Sequence, residues 1–126
     1  MVYVIDDDPM VLQSLAELLQ ASGLRVTACA GPNDLMPILN PGDRGCIIID
    51  YLMPEMNGLK LLHRLKEKQI LLPVIMISGQ SDPGEVDNAR AAGAFEFLYK
   101  PFDAANLLEI ICRAIQTMPP PRPLIH

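Results

Sequence analysis

The sequence has no apolar run long enough to cross a membrane, although half of its 126 residues are apolar. A membrane-spanning helix needs about 20 consecutive apolar residues. The first residues also lack a basic segment followed by an apolar stretch and a small-residue cleavage site, which is the pattern of a secretory leader. We therefore expect a cytoplasmic protein that does not enter a membrane.

Clusters of basic residues are also missing, and the formal net charge is −5. Proteins that bind nucleic acids carry Lys and Arg side chains grouped on one surface, where they neutralise phosphates. This charge balance indicates that the domain itself does not bind nucleic acid.

Cysteines are few, at positions 29, 46 and 112, and their odd number leaves at least one thiol unpaired within the chain. Cys29, Cys46 and Cys112 are far apart and lie in apolar segments. This spacing matches neither a disulfide framework nor a zinc site. We expect three buried free thiols.

Segments with strand-like and helix-like patterns alternate along the chain. Its length fits one domain with a sizeable core. Strands are predicted at 2–5, 24–29, 46–50, 73–78 and 95–99. Helices are predicted at about 9–23, 31–39, 57–68, 80–93 and 103–116. Five strands that alternate with five helices predict a right-handed, doubly wound parallel sheet.

The acid Asp50 ends the most apolar of these strands, the segment 46–50. A continuous β-branched run predicts a strand that is covered on both faces. Because such a strand has no exposed face for a charge, Asp50 is expected at its carboxyl end. Ligands of open α/β sheets bind beside the carboxyl ends of the strands. The alternative is that Asp50 is only a turn or helix-capping residue.

Other polar side chains follow the remaining strands, and they favour a functional site. Asp6 and Asp7 follow the first strand, Ser78 ends the fourth and Lys100 follows the fifth. If the first and third strands are neighbours, Asp6, Asp7 and Asp50 converge at one edge of the sheet. Three carboxylates at one point repel each other, and crowding raises the pKa of at least one. A hard divalent cation such as Mg2+ would relieve this repulsion.

Four short segments in this order resemble the receiver domain of two-component response regulators, over residues 2 to about 116. They are Ile5-Asp6-Asp7-Asp8, Asp50-Tyr51-Leu52-Met53-Pro54 with Asn57-Gly58, Ile77-Ser78-Gly79, and Tyr99-Lys100-Pro101-Phe102. The resemblance implies a flavodoxin-like fold, with strand order 2-1-3-4-5 and a cis Lys100–Pro101 bond. It also implies a receiver domain at 1–117, and the Pro-rich residues 118–126 then form a linker or a disordered tail.

The resemblance further implies a role for each site residue. Asp50 would accept a phosphoryl group from a partner sensor histidine kinase or phosphotransfer protein. At the Mg2+ site, which also includes Asp50, Asp7 would bind the ion directly and Asp6 would act mostly through water. The main-chain carbonyl of Leu52 would complete the protein's share of the metal ligands. Ser78 and Lys100 would hold the phosphoryl oxygens, and Ser78 and Phe97 would change position together in the switch. The domain would catalyse only its own phosphorylation and dephosphorylation.

The resemblance leaves the output of the switch open. We expect it to control a DNA-binding transcription factor domain and to form a homodimer on phosphorylation. The alternatives are the receiver of a hybrid histidine kinase, a stand-alone phosphorelay receiver, and an interaction domain that is not phosphorylated. The purely structural interpretations treat Asp6 and Asp7 as turn residues, Ser78 as a strand-end hydroxyl, Lys100 as a surface lysine and Phe97 as a core aromatic.

Overall fold

The fold alternates strands and helices as the sequence predicts. The computed structural model describes residues 1–51, 58–79 and 83–117. The strands are β1 (Val2–Ile5), β2 (Val26–Cys29), β3 (Cys46–Asp50), β4 (Val74–Ser78) and β5 (Glu96–Tyr99). The helices are α1 (Pro9–Ala21), α2 (Pro32–Leu35), α3 (Gly58–Glu67), α4 (Pro83–Ala91) and α5 (Ala104–Gln116).

All strand pairs are parallel, and the strand order is β2-β1-β3-β4-β5. This confirms the predicted flavodoxin-like fold. The central strands β3 and β4 are buried along their length, apart from the partly exposed Asp50 at the end of β3. Continuous apolar strands of this kind need helices on both faces of the sheet.

The helices supply two separate core layers because side chains alternate between the two faces of each strand. One layer packs α2, α3 and α4 against a sheet face that includes Ile49, Met76 and Phe97. The other layer packs α1 and α5 against the opposite face, which includes Ile48 and Ile77. The side chains of adjacent residues at a strand end therefore point into different layers.

Two aspartates fix the starts of the helices that cover the second layer. The Asp8 carboxylate accepts a hydrogen bond from the Met10 amide at 3.0 Å, and Pro9 occupies the first turn. Asp103 accepts from the Ala105 amide at 3.0 Å at the start of α5. These contacts satisfy amides that the first turn of a helix leaves without a carbonyl partner.

Several predicted boundaries and one burial prediction differ from the structure. The second strand begins at Val26, later than predicted, and the second helix is α2 followed by a 3-10 turn that contains Pro37. Cys29 and Cys46 are buried free thiols, but Cys112 is exposed, so its predicted burial is wrong. It lies on the solvent side of α5, where periodicity rather than residue type decides burial.

The predicted tail at 118–126 and the predicted starts of the third and fourth helices lie outside the described residues. Within residues 1–51, 58–79 and 83–117, no helix is both long and apolar enough to span a membrane.

Candidate functional site

Three carboxylates meet at the carboxyl edge of the sheet, where β1 and β3 are neighbours. Ile5 is paired in register with Ile49, so the residues that follow them, Asp6 and Asp50, start from adjacent positions. One carboxylate oxygen from each of Asp6, Asp7 and Asp50 lies within 4.8 Å of the others. Asp6 is buried, Asp50 is partly exposed and Asp7 is exposed, so the cluster is open to solvent on one side.

Lys100 reaches this cluster from the end of β5. Its Nζ lies 3.5 Å from Asp50 Oδ2 and 3.7 Å from Asp6 Oδ2. The Lys100 amide donates to the Ser78 carbonyl at 2.9 Å, which fixes the main chain at this point beside β4. The following Lys100–Pro101 bond is cis, as the resemblance implied. One cation is therefore shared by two acids.

The pKa of Asp6 is raised above its usual value, mainly because burial removes water from the carboxylate. The negative charges of Asp50 and Asp7 raise it further. A hydrogen bond from the Asp8 amide at 2.9 Å and the charge of Lys100 oppose this shift without cancelling it. The sequence predicted that crowding would raise the pKa of at least one acid; at Asp6 the neighbouring acids do raise it, but burial is the larger cause.

The donor set of this cluster fits a hard divalent cation. Asp6, Asp7 and Asp50 offer carboxylate oxygens close enough to share one ion, and the exposed side leaves space for waters. Mg2+ prefers this combination of a few carboxylates and several waters. The fourth predicted ligand, the main-chain carbonyl of Leu52, lies outside the described residues.

Ser78 lies one strand away from the acid cluster. Asp50 is paired in register with Ile77, the residue before Ser78, and Ser78 is fully buried. Alternation along β4 places the Ser78 side chain on the same face as Met76, whereas Ile77 belongs to the opposite core layer. Ser78 is thus at the predicted edge, on the side of α3 and α4.

Phe97 is buried in the core layer beneath these helices, and its ring packs between two tyrosines. The ring centroids of Tyr51 and Phe97 are 5.5 Å apart, and those of Phe97 and Tyr99 are 5.6 Å apart. Tyr51 is buried, whereas Tyr99 is 46% exposed. The sequence did not predict that Tyr51 and Tyr99 contact Phe97, although their positions directly after Asp50 and before Lys100 marked them as strand-end residues.

A largely apolar groove of about 340 Å³ opens beside the acid cluster. Its lining includes Met10, Val11 and Ser14 of α1 together with Phe102 and Asp50. Met10 is 79% exposed. Residue types alone did not reveal this groove, because its walls come from segments far apart in the chain.

Comparisons with known proteins agree with this geometry. The model of the response regulator receiver domain family matches residues 2–112. The response regulator protein TodT of Pseudomonas putida is 37% identical over 121 residues, which cover 96% of this chain and 53% of TodT. The transcriptional regulatory protein FixJ of Azorhizobium caulinodans is 41% identical over 110 residues, which cover 87% of this chain and 52% of FixJ.

A solved structure has the same fold. The crystal structure of FixJ-N superimposes with a TM-score of 0.83 at 31% identity, and the match covers 94% of each chain. The chain spans about half the length of the curated relatives TodT and FixJ. The family match, the strand order and these relatives together establish that this chain belongs to the response regulator receiver domain family.

Proposed function

We propose that this domain accepts a phosphoryl group on Asp50 from a sensor histidine kinase or a phosphotransfer protein in the cytoplasm. The observation that carries the proposal is the shared position of Lys100, 3.5 Å from Asp50 and 3.7 Å from Asp6, beside a cluster of three carboxylates. A structural ion pair would need one acid and one base. Three acids and one lysine at an open sheet edge suit a site that receives another charged group.

The reaction is an attack by an Asp50 carboxylate oxygen on the phosphorus of a phosphohistidine. A new oxygen–phosphorus bond forms as the nitrogen–phosphorus bond breaks, and the partner's imidazole leaves with the electron pair. Catalysis of phosphoryl transfer consists mainly of positioning and charge stabilisation. Lys100 lies close enough to Asp50 to donate to an oxygen of the incoming group and to balance its charge.

Mg2+ would be held by Asp7, Asp50 and the Leu52 carbonyl, with Asp6 acting mostly through water. When bound, it would supply positive charge to the phosphoryl oxygens. The main chain holds these carboxylates in place: the Asp8 amide donates a hydrogen bond to Asp6, and the parallel pairing of β1 with β3 fixes Asp6 relative to Asp50.

Ser78 would act with Lys100 on the phosphoryl oxygens, and Phe97 would move with Ser78. Support comes from their places in the fold: Ser78 ends the strand next to Asp50, and Phe97 lies in the same core layer on β5. Moving a two-state domain from about 1:99 to 99:1 takes roughly 5.5 kcal/mol of differential stabilisation. New bonds from the phosphoryl group to Ser78 and Lys100 would supply part of it. The altered surface of α4 and β5 would then form a homodimer or contact an output domain.

The groove along α1 supports a helical partner. Met10 and Val11 offer apolar contacts next to Asp50, and an amphipathic helix buries apolar side chains in grooves of this kind. A kinase or phosphotransfer helix that carries a phosphohistidine would bring its phosphorus to Asp50 while its apolar face covers Met10.

A DNA-binding transcription factor domain is the output we favour. FixJ is named a transcriptional regulatory protein, and the present chain matches about half of its length. In this proposal residues 1–117 are the receiver and residues 118–126 lead as a Pro-rich linker to the output. The rival arrangements are a hybrid histidine kinase and a stand-alone phosphorelay receiver. The sequence of the gene beyond His126 distinguishes the three.

The phosphorylation site is tested with a small-molecule phosphodonor and Mg2+. One phosphoryl group should be added per chain and removed by hydroxylamine, as expected for an acyl phosphate. Asp50→Asn should abolish the labelling because an amide is a far weaker nucleophile. Asp87→Asn, which changes an exposed acid on α4, is the matched control and should label normally. Equal labelling of the Asp50→Asn variant would favour a different acceptor, and no labelling of the parent would favour an interaction domain without phosphorylation.

The metal site is tested by Mg2+ titration of two variants, monitored by calorimetry. Asp7→Ala should weaken Mg2+ binding more than Asp6→Ala, since Asp7 is the expected direct ligand and Asp6 the expected water-mediated one. Asp8→Ala is the control, because its carboxylate caps α1. Unchanged affinity in Asp7→Ala would contradict the assignment.

A further inference from the structure

Tyr51 is the side chain that joins the phosphoacceptor strand to Phe97. It follows Asp50 directly in the chain, and its amide donates to the Ile77 carbonyl at 2.9 Å. Its backbone is thereby attached to β4 just beyond the point where β3 ends. A displacement of the main chain at Asp50 reaches Tyr51 through a single peptide bond.

The Tyr51 ring has little free space in which to absorb such a displacement. Gly58, at the start of α3, packs so closely that a Cβ atom there would lie 3.3 Å from Tyr51 Cδ2. The Phe97 ring lies on another side, at 5.5 Å between centroids and an interplanar angle of 56°. Close-packed interiors transmit displacement from one side chain to the next.

The contacts continue from Phe97 to the protein surface. Phe97 is buried and packs against Tyr99 with centroids 5.6 Å apart at 54°. Tyr99 is 46% exposed on β5 and is paired in register with Ser78. The three rings thus form a continuous path from the residue after Asp50 to solvent, and they lie on the face covered by α3 and α4.

We propose that Tyr51 is a positioning residue that sets the side-chain state of Phe97, and that Tyr99 carries this state to the surface. The proposal rests on the function proposed above, in which Asp50 is phosphorylated and Phe97 changes position. It adds a second input to Phe97: the ring of Tyr51 bears on it from the side of Asp50, in addition to Ser78. An aromatic pair at this spacing biases an equilibrium by about two- to tenfold.

The test uses 3-fluorotyrosine, because the chain has three tyrosines and no tryptophan. Fluorine NMR then gives one resonance each for Tyr3, Tyr51 and Tyr99, which single Tyr→Phe variants assign. Beryllofluoride with Mg2+ serves as the phosphoryl mimic. In the parent domain the Tyr99 resonance should shift on addition of the mimic. In Tyr51→Leu this shift should fall at least about twofold, since the ring contact that biases Phe97 is lost.

Tyr3→Leu is the matched control. Tyr3 is a buried tyrosine of the same core layer, but it lies on β1, with β3 and β4 between it and β5. Tyr3→Leu and Tyr51→Leu replace the same residue type in the same core layer, so a general loss of packing would affect both variants alike. Phosphodonor labelling of Asp50 should persist in both variants, which separates coupling from phosphorylation.

The outcomes distinguish this inference from the function on which it rests. A full Tyr99 shift in Tyr51→Leu, or an equal loss in Tyr3→Leu, would overturn the role of Tyr51. Failure of the parent domain to label would instead overturn the proposed function.

Tyr51→Phe keeps the ring and should keep the coupling. If Tyr51→Leu does not fold, Tyr51→Met conserves most of the volume and takes its place.

Discussion

Replacing Lys100 by methionine should destabilise the metal-free domain by about 1–2 kcal/mol at neutral pH. At an effective dielectric constant of about 20, each Lys100–carboxylate attraction at these separations amounts to roughly 4–5 kcal/mol before desolvation. The lysine side chain is 32% exposed, so water screens the attraction and most of it is cancelled. Asp6, which is 7% exposed, would remain buried without its cation.

The loss of stability in Lys100→Met should depend on pH because Asp6 titrates. The pKa of Asp6 is raised in the folded state. Between the unfolded-state and folded-state pKa values, the folded protein therefore keeps a proton on Asp6 that the unfolded protein releases. The ionised Asp6 therefore opposes folding above this raised pKa, and acidification through the window between the two pKa values stabilises the fold. Removal of Lys100 raises the pKa of Asp6 further. The difference between parent and Lys100→Met should consequently shrink as the pH falls.

Urea unfolding monitored by far-UV circular dichroism gives the free energies, with EDTA present and at several pH values. The expected loss corresponds to about 4–8 °C in Tm for a domain of this size. Lys66→Met, an exposed lysine on α3, changes the net charge equally and should have little effect. A Lys100→Met variant as stable as the parent in EDTA at neutral pH would refute the idea that Lys100 offsets the repulsion among the acids.

Two further predictions concern packing and thiol access. Gly58→Ala should lower the free energy of unfolding by about 1 kcal/mol, since the new Cβ would lie 2.9 Å from the Met76 Cε and the flexible thioether can move only within an already filled core. Thermal unfolding measures this loss. Gly79→Ala is the control, because its Cβ would have its nearest neighbour at 4.0 Å. Cys112 should react with iodoacetamide in the native domain while Cys46 stays unmodified, because burial raises the pKa of the Cys46 thiol to about 12. Mass spectrometry of the native and urea-unfolded protein checks this, and equal native rates would contradict it.

The sequence by itself determined the fold. Strands and helices differ in their apolar period, which is a local property, and the alternation of the two leads to a parallel doubly wound sheet. It also determined which residues end the strands: Asp6, Asp50 and Ser78 interrupt or close apolar runs. The predicted starts of the first and last helices, at about 9 and 103, lie within one residue of Pro9 and Ala104, because a capping contact by Asp8 or Asp103 spans only two residues.

Only the tertiary structure decided how these ends meet. The placement of Lys100 between Asp50 and Asp6 depends on β5 lying beside β4 and on β1 lying beside β3. The exposure of Cys112 depends on the direction in which α5 faces the sheet. The contact of Phe97 with Tyr51 crosses β4 and joins segments 46 positions apart. Such contacts follow from the register between strands that are distant in the chain, and no local pattern encodes a distance across a sheet.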